Sequence, residues 1–114
     1  MGILKNYVGK VLVIELDGEL MGGPEADEFR RVIDEALSAD TNQVVVDMMN
    51  VKWMNSSGQG MLVGAVAKLR STGGDLKLAN LSERVRRPLQ FTRLDSVFEQ
   101  FDSVDEAIKT FVQD

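Results

Sequence analysis

Val44-Val45-Val46-Asp47-Met48-Met49-Asn50-Val51-Lys52-Trp53-Met54-Asn55-Ser56-Ser57-Gly58-Gln59-Gly60 is the stretch whose reading decides the fold. It opens on an unbroken apolar run, the pattern of a short strand covered on both faces, and the strand is read as residues 43–48. Residues 49–55 read as a connection. From Ser57 to about Ser71 the chain reads as a helix with no charge before Lys68, so most of its circumference is expected to be covered by protein. Buried strand, exposed connection and buried helix form the unit of an α/β sheet. Ligands and chemistry gather at such a junction, because free backbone N–H groups and the helix dipole favour negative charge there. Gly58 and Gly60 carry no side chain that would keep an approaching group away from the backbone.

Working outward, Ile3–Val8 and Val11–Leu16 are two apolar runs separated by Gly9-Lys10, which reads as a hairpin. Asp17-Gly18 reads as the next turn, Glu19-Leu20 as a short extended piece and Met21-Gly22-Gly23 as a loop. Pro24 suits the first position of a helix, and Glu25, Asp27 and Glu28 suit the positive end of its dipole. Ala26, Phe29, Ile33, Ala36 and Leu37 define its buried face, and it should stop near Asp40-Thr41-Asn42. Beyond the second helix, Gly73-Gly74 is a stop and Asp75–Ala79 alternates as a half-buried strand. Ser82 opens a short helix interrupted by Pro88, and Val97-Phe98-Glu99 reads as a last strand. Ser103 with Glu106 is a capping-box pattern for a final helix with apolar face Val104, Ala107, Ile108 and Phe111. The expectation is a single α/β domain over residues 1–114, with a mixed β-sheet of four to five strands and about four helices.

Composition narrows the chemistry. At 114 residues there is room for one domain, and 44% hydrophobic with 27% charged residues is an ordinary globular balance. The net charge of −5, without a basic block, argues against nonspecific nucleic-acid binding. The absence of Cys and His removes disulfides, thiolate nucleophiles, the usual zinc ligands and every His-based triad, and no metal or cofactor is expected. No apolar run approaches the roughly 18 residues of a membrane span. The first residues, Met1-Gly2-Ile3-Leu4-Lys5-Asn6, lack a signal-peptide pattern, and Asn6 stands where a myristoylation signal wants Ser or Thr. A cytoplasmic protein is expected.

At the junction, Ser56 with Gln59 fits a capping box, and Ser57 could itself be the N-cap. Gly58-x-Gly60 lacks the Lys-Ser/Thr ending of a phosphate loop, which argues against nucleotide binding. Lys52 precedes Ser56 by four, the bare spacing of a Ser-Lys hydrolase, but with no sign of an oxyanion hole or substrate cleft. Met21, Met48, Met49, Met54 and Met61 cluster around the junction in sequence, as an adaptable contact surface or as core filling. Trp53 reads either as an anchor at a contact surface or as a half-buried structural tryptophan. Arg84, Arg86, Arg87 and Arg93 form the one basic cluster, suited to an acidic partner surface, to a phosphate or to solvent. Gly60 and Gly64, one helical turn apart, read as a close-packing pair.

Val44 through Gly64 resembles the signature of the STAS family of bacterial anti-sigma factor antagonists. The residues that carry the resemblance are Asp47, Val51, Met54, Asn55, Ser56, Ser57, Gly58 and Gly60, with Leu16-Asp17-Gly18-Glu19-Leu20 similar to the family's turn before the first helix. Asn55 stands where the family usually has Asp, and Met21-Gly22-Gly23-Pro24 replaces an acidic loop. Element order agrees over roughly residues 3–112. The resemblance implies a non-enzymatic, protein-binding switch. Ser56 would be phosphorylated by an anti-sigma factor with serine kinase activity and reset by a serine phosphatase. Met21, Met54, Asn55, Ser57, Gly58 and Gly60 would form the surface presented to that partner. The unmodified form would sequester the anti-sigma factor and release a sigma factor. The alternative is a STAS subunit of a transporter or signalling scaffold that is never phosphorylated.

Overall fold

The valine run lies at the centre of a five-stranded sheet, in the third of five strands ordered β1-β2-β3-β4-β5. A computed structural model describes residues 2–112. Strand β1 (Gly2–Val8) pairs antiparallel with β2 (Val11–Leu20) across the Gly9-Lys10 turn. The remaining neighbours are parallel, β2 to β3 (Gln43–Met54), β3 to β4 (Asp75–Ala79) and β4 to β5 (Gln100–Phe101). Parallel neighbours need crossovers. These are helix α1 (Pro24–Ser38), helix α2 (Ser56–Arg70), and helix α3 (Glu83–Phe91) with a 3-10 turn at Asp95–Val97. Helix α4 (Val104–Val112) closes the described chain.

The two faces of the sheet are covered unequally. Leu12, Ile14, Val44, Val46, Met48, Leu76 and Leu78 meet α1, α2 and α3 through Phe29, Ile33, Leu62, Leu69, Val85 and Leu89 in the larger core. On the other face, Val11, Val45 and Ala79 lie beneath Ala107 of α4, with Val104, Ile108 and Phe111 packed around them. Lys77 points into this smaller core at 5% exposure. Its ammonium donates to Thr110 Oγ1 and sits 4.1 Å from the Phe111 ring centroid, so charge and stem are both accommodated.

Several local expectations are corrected. Asp17-Gly18 is not a turn: β2 runs through it to Leu20, with register shifts between Glu15 and Asp17 and between Gly18 and Glu19. Residues 49–54 are not a connection but the second half of β3, paired Asp17↔Asn50, Gly18↔Val51, Glu19↔Trp53 and Leu20↔Met54. Each extension provides the other's hydrogen-bond partners, and cross-strand pairing overrides the local turn signal. The last strand lies at Gln100–Phe101, while Val97 ends the 3-10 turn and Phe98 is buried in the core. Pro88 stays inside α3 instead of interrupting it. The hydrogen bond it cannot make would go to the carbonyl of Arg84, an exposed residue. Strand β4, expected to be half-buried, is instead buried on both faces from Leu76 to Ala79. Pro24 opens α1, and Ser103 Oγ accepts from the Glu106 N–H at 3.1 Å at the start of α4.

Candidate functional site

The β2 and β3 extensions bring Leu20 and Met54 side by side, so the loop after β2 meets the start of α2. Asn55 fastens this junction. Its backbone N–H donates to Leu20 O at 3.1 Å, its Oδ1 accepts from the Gly58 N–H at 2.9 Å, and its Nδ2 donates to Met21 O at 3.2 Å. The N-cap of α2 is therefore Asn55, not Ser56 or Ser57. Asn ranks with the best N-cap residues, and its three-residue spacing to Gly58 was the signal available in the sequence. An ionised Asp would preserve the cap but could not donate to the Met21 carbonyl.

The first turn of α2 has two unlike sides. On the inner side, a Cβ on Gly58 would lie 2.2 Å from the Leu20 carbonyl oxygen, so only glycine fits the closeness of strand and helix. Gln59 is 4% exposed and does not reach back to a cap; its Oε1 accepts from Thr92 Oγ1 at 2.9 Å, joining α2 to the end of α3. On the outer side, Ser56, Ser57 and Gly60 are exposed. Neither serine hydroxyl has a hydrogen-bond partner among the described residues. Gly22, at φ 86°, packs where a Cβ would come within 2.7 Å of Ser57 Cβ, which holds the loop against the helix.

From Ser57 an open groove of about 530 Å3 runs between α1 and α2, past Gly60 and Gly64, with Arg30 and Lys68 among its walls. Lys68 pairs with Asp34 of α1. One side of the uncharged helix is open, where Ser57, Gly60, Gly64 and Ala67 form an exposed stripe of small residues; Gly58, Gln59, Met61, Leu62, Ala65 and Val66 are buried. The groove corrects one expectation: Gly60 and Gly64 are not a close-packing pair, because a Cβ on each would meet nothing within 4 Å. The first turn of α2 contains no acidic side chain, and its last turn carries Lys68 and Arg70, both favourable for the dipole.

The residues expected at a contact surface divide. Met21 (43% exposed), Asn55, Ser56, Ser57 and Gly60 gather at the outer edge of the junction. Met54, at 2% exposure, is instead a core residue, because the β3 extension turns its side chain inward against the larger core. Gly58 is likewise buried, and its part is packing. Met48 and Met61 fill the core, whereas Met49 is exposed. Lys52 is exposed with no ion pair or hydrogen bond among the described residues, the opposite of the desolvated amine that would activate a serine. No cluster of three or more acidic side chains suited to a metal ion occurs among the described residues. No helix there is long and apolar enough to cross a membrane.

Comparison with known proteins agrees with this architecture. A candidate anti-sigma factor antagonist of Thermotoga neapolitana is 31% identical over 99 residues, which cover 86% of this chain and 88% of the relative. The anti-sigma F factor antagonist of Paenibacillus polymyxa is 27% identical over 99 residues, 86% of this chain and 84% of that one. The solved structure of the anti-sigma factor antagonist SpoIIAA in its unphosphorylated form superposes with a TM-score of 0.83 at 26% identity, covering 96% of each chain. Residues 3–107 match the STAS domain, and the chain belongs to the STAS domain family.

Proposed function

We propose that this protein is an anti-sigma factor antagonist switched by phosphorylation of Ser56. The observation that carries the reading is the division of labour at the start of α2: Asn55 caps the helix, and the exposed Ser56 hydroxyl is left with no structural task. Relatives named as anti-sigma factor antagonists supply the class of partner, and the SpoIIAA form described as unphosphorylated makes phosphorylation a state of that protein. In this reading the unmodified chain binds an anti-sigma factor with serine kinase activity in the cytoplasm, and a serine phosphatase restores it after modification. Met21, Asn55, Ser57 and Gly60 border the contact. No cofactor of the chain's own is required.

The physics of the switch is local. A phosphate adds about −1.5 to −2 charges and three strong acceptors to a helix start made of small, uncharged residues. The N-terminal end of α2 tolerates that charge through its dipole, so the fold is retained. A partner packed against Gly60 and Ser57 would meet an unpaired, desolvated charge, and binding would be lost without a change of shape.

The test uses a kinase-type anti-sigma factor, ATP and intact-mass measurement. Ser56→Ala should abolish phosphate incorporation and Ser57→Ala should preserve it. In titration calorimetry, Ser56→Glu should weaken binding by tenfold or more, about 1.4 kcal/mol, while Ser56→Ala binds like the unmodified chain. Labelling of Ser56→Ala, or equal affinity of the phosphorylated and unmodified forms, would overturn the assignment.

A further inference from the structure

Helix α3 presents a surface unlike that of α2. Arg84, Arg87, Pro88 and Phe91 recur at helical spacing on its outer side, opposite the buried Val85 and Leu89. Phe91 is 83% exposed, and Trp53, from the end of β3, is 40% exposed. With Glu83 at the rim, these side chains bound a recess of about 450 Å3. Two large aromatic residues beside one recess form an exposed apolar patch that the fold itself does not use. Trp and Arg are also the residue types that dominate binding energy at protein interfaces.

Charge identifies what the patch would hold. Residues 83–93 contain Arg84, Arg86, Arg87 and Arg93 against the single acid Glu83, in a chain of net charge −5. Glu83 lies 3.8 Å from Arg86 and 3.9 Å from Arg87, whereas Arg84 and Arg93 have no ion pair among the described residues. We propose that the recess between Trp53 and Phe91 docks an acidic protein segment that inserts one apolar side chain while its carboxylates meet Arg84 and Arg87. A concave site suits an inserted side chain better than a flat bilayer. The overall negative charge opposes extended polyanions such as nucleic acid or an anionic membrane. A short segment responds mainly to the nearby arginines, because charges beyond about 8 Å are screened at physiological salt. The proposal is independent of modification at Ser56.

Trp53 is the chain's one tryptophan, so its emission reports occupancy directly. A random short-peptide display library would be selected on the whole protein, and enriched peptides free of tryptophan would be titrated while Trp53 fluorescence is read. The expected consensus is several Asp or Glu around a Leu, Ile or Phe, with a blue shift on binding. The double substitution Arg84→Glu with Arg87→Glu should weaken these peptides at least tenfold, and Phe91→Ala should also weaken them. Circular dichroism should report an unchanged fold for both, since all three side chains are exposed. Ser56→Glu should leave their affinity unchanged. The proposal is overturned by enrichment of basic or patternless peptides, or by undiminished binding to the charge-reversed variant. It also fails if phosphatidylserine vesicles or duplex DNA move Trp53 emission more than the peptides do. Self-association in sedimentation that disappears on charge reversal would likewise overturn it, by making a second copy the occupant.

Discussion

The inner and outer sides of the first turn of α2 differ more than their sequence separation suggests. Gly58 and Gln59 are held, one against the Leu20 carbonyl and the other by Thr92. Ser56, Ser57 and Gly60, interleaved with them, are exposed, with Gly22 packed against Ser57 and open space beside Gly60. A helix assigns neighbours in sequence to different directions, so one turn can carry a rigid attachment and a free surface together. The lesson is that the small residues of this segment are small for different reasons. Gly58 is small because backbone lies against it, whereas Gly60 borders open space where a partner could approach.

The sharpest way to break this contrast is an alanine at each glycine. Gly58→Ala should force the end of β2 away from α2 and cost about 3 kcal/mol, the upper range for overpacking, measured by urea unfolding. Gly60→Ala, two residues on, should instead be neutral or stabilise by up to about 1 kcal/mol through helix propensity. Similar losses at both positions would erase the distinction.

A smaller effect is expected at the residue joining the two sides. Asn55→Ala should cost about 1 kcal/mol for the lost cap. Asn55→Asp retains the cap acceptor but loses the donor to Met21 O, so its loss should be smaller. Equal losses would mean that the bond to the loop, not the cap, is what matters at this position. Faster hydrogen exchange around Gly22 in Asn55→Asp would report the released loop.

Smallest of all should be Ser56→Ala. With no hydrogen bond to lose, its unfolding free energy should remain within about 0.5 kcal/mol of the unmodified chain. A larger destabilisation would give the hydroxyl a structural task and blur the two sides.

How much could be read in advance followed how local each cause was. The hairpin at Gly9-Lys10, the entry of α1 at Pro24, the valine core of β3 and the Ser103 cap depend on residues within a turn or two, and each stood in the sequence. The second halves of β2 and β3 did not, because Asp17-Gly18 and Asn50-Val51 become strand only in each other's presence. Met54 was misplaced for the same reason: its direction follows from a strand extension that local propensity did not announce. At the junction, Ser56, Ser57 and Gly60 lie exposed, but the local pattern puts the cap one or two residues late. Two serines next to an asparagine offer competing capping residues, and only the position of Leu20 and Met21 selects among them. The Gln59 to Thr92 bond links residues 33 apart and had no local signal.

The plain strand order has a consequence for synthesis. Every strand lies beside its neighbour in the chain, so the sheet can be laid down from one edge in the order in which the ribosome delivers it. The loop, cap and groove around Ser56 draw on residues 20–68 and exist in the nascent chain before α4 has been made. Until α4 emerges, Val11, Val45 and Ala79 lack the cover it gives on their side of the sheet. The surface proposed to carry the signal is thus encoded upstream of the last seal on the apolar interior, and a nascent chain passes through a stage at which it displays both.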